Sequence, residues 1–135
     1  VRESYFPFLR SCPLAVRLPG GVFVTHSIPE NLDSRRFDRS IFSRQLDASE
    51  YYDRTGVFEL VWGRDYRQEN ADAFAEMVGA EVLINGHEPS PEGFNTPNSR
   101  QVILDCCSEK ACYVILPTAE GLDQQQIVER IARLR

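Results

Sequence analysis

The chain has 135 residues, 42% of them apolar and 26% charged, which suits one globular domain and excludes a disordered or fibrous chain. Its net charge of −5 sets the whole-protein field against nucleic acid and anionic membrane surfaces as partners. No apolar run nears the roughly 20 residues that cross a bilayer, and residues 1–10 lack the apolar stretch of a secretory signal, so a cytoplasmic protein is expected.

No repeat, low-complexity stretch or linker divides the chain, so residues 1–135 read as a single unit. Leu14, Val16 and Leu18 alternate with Ala15 and Arg17. Pro19-Gly20-Gly21 then breaks the run before Val22-Phe23-Val24-Thr25, which predicts a β-hairpin. Phe37, Ile41, Phe42 and Leu46 fall at helical spacing behind the capping candidates Asn31, Asp33 and Ser34, and predict a helix over about 31–46. Asn70 is placed to cap a second helix whose Phe74, Met77 and Val78 share a face and which Gly79 ends. A strand follows at 81–85.

Pro89, Pro91 and Pro97 make 87–99 a turn-rich segment. The β-rich runs 101–106 and 111–116, joined by 107–110, predict a second hairpin. The last helix is announced by a capping box of Asp123 and Gln126 and a staple of Leu122 and Ile127. Ile127, Ile131 and Leu134 line one of its faces, and Arg130, Arg133 and Arg135 favour its C-terminal end. Hairpins mixed with helices give an α/β or α+β fold.

The four cysteines, Cys12, Cys106, Cys107 and Cys112, are too few and too irregular for a secreted disulfide scaffold. CC-x4-C lacks the second ligand pair that structural zinc uses, so reduced, metal-free thiols on a strand and its turn are expected, with a redox role the lesser alternative. All basic residues but Lys110 are arginine. Compositional bias accounts for this without a site, although phosphate chemistry is the other reading.

The two histidines share a context. His26 follows the apolar run Val22–Thr25 and His87 follows Val82-Leu83-Ile84-Asn85-Gly86. Ligands bind beyond the carboxyl ends of strands in sheets covered by helices, so two imidazoles delivered there predict one shared site. Either alone reads as an ordinary loop histidine; it is the pair in parallel contexts that raises the shared-site reading. Together they suit manganese, iron or zinc, with Gly86 expected to let backbone approach closely before His87.

Four blocks also resemble a known family. Cys12-Pro13-Leu14-Ala15-Val16 through Phe23-Val24-Thr25-His26-Ser27-Ile28-Pro29-Glu30 resembles the P-L-A-hairpin-F-x-x-H-G-G-L-x-P-E stretch of calcineurin-like metallophosphoesterases, the phosphoprotein phosphatase (serine/threonine phosphatase) family. Leu60-Val61-Trp62-Gly63-Arg64-Asp65 is similar to the L-x-W-x-R of its bacterial members. Gly86-His87-Glu88-Pro89 with Gly93-Phe94 matches its G/A-H-x-x-x-x-x-G-[FY], and 100–105 resembles the strand that follows. Four blocks in order over about residues 11–116 are more specific than any one of them.

The resemblance implies roles. His26 and His87 would be ligands of one ion in a two-metal centre, and Arg64 a phosphate contact, since a guanidinium fork suits phosphate oxygens. Trp62 is expected as a core anchor rather than a substrate platform. Ser27-Ile28 stands where the family has Gly-Gly. The motifs G-D-x-H, G-D-x-x-D-R-G and G-N-H-E have no counterpart here, so the catalytic histidine and the remaining ligands are absent. The implied fold is half of a metallophosphoesterase β-sandwich flanked by helices, the C-terminal part of the domain, with an exposed sheet edge and apolar face. The expected function is that of a metal-dependent phosphoesterase fragment. It would act on phosphate monoesters such as phosphoserine or phosphothreonine once a missing N-terminal half or partner chain completes the site. The alternative is a catalytically degenerate, phosphatase-like interaction domain.

Overall fold

The computed structural model describes residues 2–51, 56–117 and 119–134. The first hairpin forms as the alternation predicts: β1 (Ala15–Leu18) and β2 (Val22–Thr25) pair antiparallel in the register Leu18↔Val22. Gly20 and Gly21 make the turn with φ of 85° each, a conformation glycine adopts without the steric cost of a Cβ. Before them lies a helix the pattern did not predict, α1 (Arg2–Ser11), with Pro7 inside it.

The helix expected over about 31–46 does not form. Its apolar residues do go inside: Ile41 is buried, and Phe37, Phe42 and Leu46 pack half-buried against the same core. The backbone, however, is a series of turns around the 3-10 segments Arg39–Phe42 and Ala48–Tyr51. Local polar side chains compete with helical bonding here. Asp38 accepts from Ser40 N, Asn31 has φ of 56°, and Leu32 N donates to the distant Asn70 side chain.

Two helices follow, α2 (Gly56–Trp62) and α3 (Gln68–Val78). Gly79 ends α3 as predicted, in the left-handed conformation at φ 64° with its N–H on Ala75 O and Glu76 O. The start differs. Arg67 occupies the N-cap position without a side-chain bond, and Asn70 is buried inside the helix. Its amide is turned onto the 29–32 loop instead.

β3 (Val82–Asn85), β4 (Phe94–Asn95) and β5 (Gln101–Leu104) complete a five-stranded sheet of order β1-β2-β3-β5-β4, in which β2, β3 and β5 run parallel and both edge strands antiparallel. The second hairpin is therefore a correction. β5 pairs with β3 and β4, whereas β6 (Cys112–Val114) pairs with β7 (Ile131–Arg133) in a separate ribbon. The last helix, α4 (Gln124–Val128), has its capping box as predicted, Gln126 N to Asp123 Oδ1 at 2.8 Å and Asp123 N to Gln126 Oε1 at 3.0 Å. It stops early because 131–133 bond to β6 through the backbone. Leu134 is accordingly exposed rather than on a buried helix face. Arg130 still donates to Gln126 O at 2.8 Å, near the helix C-terminus; Arg133 lies in β7, and Arg135 falls outside the described residues.

Strand alternation assigns side chains to two cores. Phe23 and Leu83 point to the face covered by α2 and α3, where Ile28, Leu60 and Phe74 are fully buried. Val22, Val82, Ile84 and Val102 point to the other face, against Ile127 of α4, Leu122 and the β6–β7 ribbon. Each full burial of such a side chain contributes roughly 1.5–3 kcal/mol. The architecture is thus a mixed α/β sheet covered on both faces. Among the described residues no second large sheet closes a sandwich, and the apolar face expected to lie open is covered. No helix among them is long and apolar enough to cross a membrane.

Candidate functional site

Parallel pairing of β2 with β3, in the register Val24↔Ile84, brings the ends of both strands to one edge of the sheet. A buried polar row ties these ends together. Gln101 Nε2 donates to Asn85 Oδ1 at 2.9 Å, and Asn85 Nδ2 to Thr25 Oγ1 at 2.9 Å. One residue further on, Gly86 N donates to His26 O at 3.0 Å. The two imidazoles meet just beyond: His26 Nε2 and His87 Nδ1 are 3.1 Å apart. That separation is a hydrogen bond between the two rings, one nitrogen donating and the other accepting.

His87 reaches this position with φ of 69°. Gly86 O accepts from Glu88 N at 2.8 Å across it, closing a three-residue turn. A non-glycine residue held in this region stores about 1–3 kcal/mol, and such strain gathers at functional sites. Gly86 is not the tight position expected. A Cβ there would meet His26 Nδ1 at 3.8 Å, an ordinary contact, so the strained residue is the histidine itself.

Arg64 joins the pair. Its Nε lies 3.4 Å from His87 Nε2 and 3.6 Å from Glu88 Oε2, while its backbone N–H donates to Glu30 Oε1 at 3.0 Å. The side chain is 56% exposed, which leaves the guanidinium able to turn toward an incoming anion. Burial first, and then the charges of His26 and Arg64, hold the His87 pKa below its ordinary value. That favours the neutral imidazole, the form that ligates metals. Tyr66 donates to Glu88 Oε2 at 2.9 Å, and burial followed by this bond pushes its hydroxyl pKa up.

The segment carrying Arg64 is fixed by close packing. Ser27 N donates to Leu60 O at 2.7 Å and Ser27 Oγ to Gly63 O. A Cβ on Gly63 would lie 1.9 Å from Ile28 O, so no other residue fits there. Ser27 and Ile28 thus have work of their own, a bond to α2 and a fully buried side chain. Asn70 supports the same loop, accepting from Leu32 N at 2.7 Å and donating to Pro29 O at 2.9 Å and Asp65 O at 3.0 Å.

Trp62 corrects its expected role. It is 55% exposed, stacks on Phe58 at 6.0 Å and meets the His87 ring edge-on at 5.4 Å. It borders a hollow of about 290 Å³ lined by Glu30, Phe58, Glu59, Trp62 and Gly63. A larger groove of about 740 Å³ lies between β1 and the 39–51 turns and includes none of His26, His87 or Arg64. Glu30, Tyr66 and Glu88 were not singled out from the sequence. Glu88 directly follows His87, and Glu30 closes the His26 block, which were the available signals. Among the described residues no group of three or more His, Cys, Asp or Glu side chains is placed to hold a metal ion, and the four cysteines are free. No family model, curated protein or solved structure matches this chain.

Proposed function

We propose that this chain by itself is a phosphatase-like interaction domain that recognises a phosphorylated group without turning it over. The observation carrying this reading is the ligand count: His26 and His87 form a pair, and no third metal-ligating side chain among the described residues joins them. Two imidazoles hold an ion loosely, and one loosely held ion cannot stabilise both the entering and the leaving oxygen of a phosphoryl transfer. Arg64, exposed beside the pair, supplies a planar donor fork for phosphate oxygens. The four free thiols suit a reducing compartment, and we place the protein in the cytoplasm.

A second reading is favoured by the strain at His87, which mere phosphate recognition does not require. His26 Nε2 and His87 Nδ1 would hold a divalent ion, manganese, iron or zinc, in a metallophosphoesterase whose other ligands come from an N-terminal half or partner chain. A metal ion there supplies Lewis-acid polarisation of a phosphate oxygen. In that setting the residues of this chain orient the ester: Arg64 donates to phosphate, and Trp62 and Phe58 flank the leaving group.

The two readings separate in one experiment on the chain as it stands. Manganese and a phosphoserine peptide are titrated into it by calorimetry, and manganese-stimulated hydrolysis of a phosphate monoester is followed in parallel. Binding of the peptide without turnover is expected. Manganese binding that is lost in His87→Ala favours the second reading; sustained turnover by this chain alone overturns the ligand-count argument itself, and absence of peptide binding removes phosphate recognition.

A further inference from the structure

Three parallel strands end at the same edge of the sheet, and the histidines follow only two of them. The third, β5, hands the chain to Asp105, Cys106 and Cys107. Both thiols are exposed and adjacent in the chain. Asp105 is buried, and its carboxylate bonds in two directions. Oδ1 accepts from Cys107 N at 2.7 Å and Oδ2 from Ser90 N at 3.0 Å. Ser90 lies three residues beyond His87. The thiol turn and the loop after His87 are therefore held by one side chain.

We propose that Cys106 and Cys107 are a reversible dithiol–disulfide pair whose oxidation by a small-molecule disulfide breaks the Cys107 N–H bond to Asp105 and loosens the loop that carries His87. The thiolate of Cys106 attacks one sulfur of the oxidant RSSR, forming a mixed disulfide and expelling RS⁻. Cys107 then loses its proton and attacks Cys106 Sγ, forming the S–S bond and expelling the second RS⁻. The two thiolates leave as two RSH with the two thiol protons, and two electrons have passed from protein to oxidant. Interaction with the Cys106 thiol first, then burial and the Asp105 charge, pushes the Cys107 thiol up, so Cys107 holds less thiolate and the first attack falls to Cys106.

Geometry supplies the coupling. Neighbouring Cα atoms stand 3.8 Å apart across a trans peptide, short of the 4.4–6.8 Å usual for a disulfide. Closing the ring must therefore twist the 106–107 peptide, and that peptide carries the N–H held by Asp105. The same strain makes such a disulfide easy to reduce, as a switch requires. Cys112 is buried on β6 with its Sγ on Lys110 O at 3.2 Å, which withholds it from exchange. This inference does not depend on phosphate or metal binding.

The test equilibrates the whole chain in mixtures of reduced and oxidised glutathione, alkylates the remaining thiols and digests with trypsin, which releases 101–110 as one peptide. That peptide should be lighter by two hydrogens, closed to alkylation and restored by dithiothreitol. Stable glutathione adducts, or a cross-link to Cys112 or Cys12, would overturn the pairing. Hydrogen exchange at the Ser90 amide should quicken by about tenfold on oxidation, as a constraint of one hydrogen bond is lost; an unchanged rate overturns the coupling. Cys107→Ser keeps its N–H but cannot form the ring, so its Ser90 exchange should ignore the oxidant. A response in that variant would also overturn the coupling.

Discussion

His26 Nε2 and His87 Nδ1 lie 3.1 Å apart across a sequence separation of 61 residues. The contact holds His87 in a left-handed turn that costs backbone strain, and burial together with the facing His26 holds the His87 pKa below its ordinary value.

Replacing His87 with glycine should therefore separate stability from binding. The left-handed φ is free of steric cost for glycine, so His87→Gly is expected to gain about 0.5–1 kcal/mol in urea unfolding. Metal or phosphate binding should be lost in calorimetry. A variant that is destabilised would show that the ring contacts with Trp62 and His26 outweigh the strain.

Arg64→Ala should weaken binding of a phosphoserine peptide by about tenfold, since charge-assisted bonds to phosphate contribute roughly 1.5–3 kcal/mol each. Stability should move by less than about 0.5 kcal/mol, because a half-exposed ion pair such as Arg64 with Glu88 contributes little. Arg64→Lys should recover only part of the affinity, as lysine lacks the planar fork. Unchanged affinity in Arg64→Ala would remove Arg64 from the site.

Asn70→Ala leaves Leu32 N, Pro29 O and Asp65 O without their side-chain partner. Each unpaired buried group costs about 1–3 kcal/mol, so a loss of roughly 3 kcal/mol is expected in denaturant unfolding. The 29–32 loop should also become more accessible to protease. A loss below about 1 kcal/mol would mean that this loop is not held by Asn70.

Acid should act through Asp105. Backbone bonds from Cys107 and Ser90 hold its carboxyl below the ordinary carboxylate range. The unfolded chain takes up the proton first as pH falls, so the stabilisation is present above the ordinary value and is lost as pH drops through the lower native one. Amide protection of Ser90 and Cys107 should fall together in that window. Asp105→Asn should show weakened protection that no longer changes there. Independent loss of the two amides would contradict a shared acceptor.

Local chemistry alone determined the first hairpin, the left-handed end of α3 at Gly79 and the capping box of α4, because each depends on residues within a turn of one another. The convergence of His26 and His87 was legible too, since strand ends at one sheet edge converge whenever the strands run parallel. Tertiary structure decided the rest. The apolar spacing of 37–46 is served by a folded loop as well as by a helix, and local bonds such as Ser40 N to the Asp38 carboxylate hold the loop. Residues 131–133 carry a helical pattern, yet strand pairing with Cys112–Val114 bonds more of their backbone. Trp62 has a core residue's chemistry and an exposed position beside His87. Asp105 is an ordinary carboxylate in sequence. It becomes a junction only because the fold brings Ser90 and Cys107 to its two oxygens, a long-range pairing that no local pattern encodes.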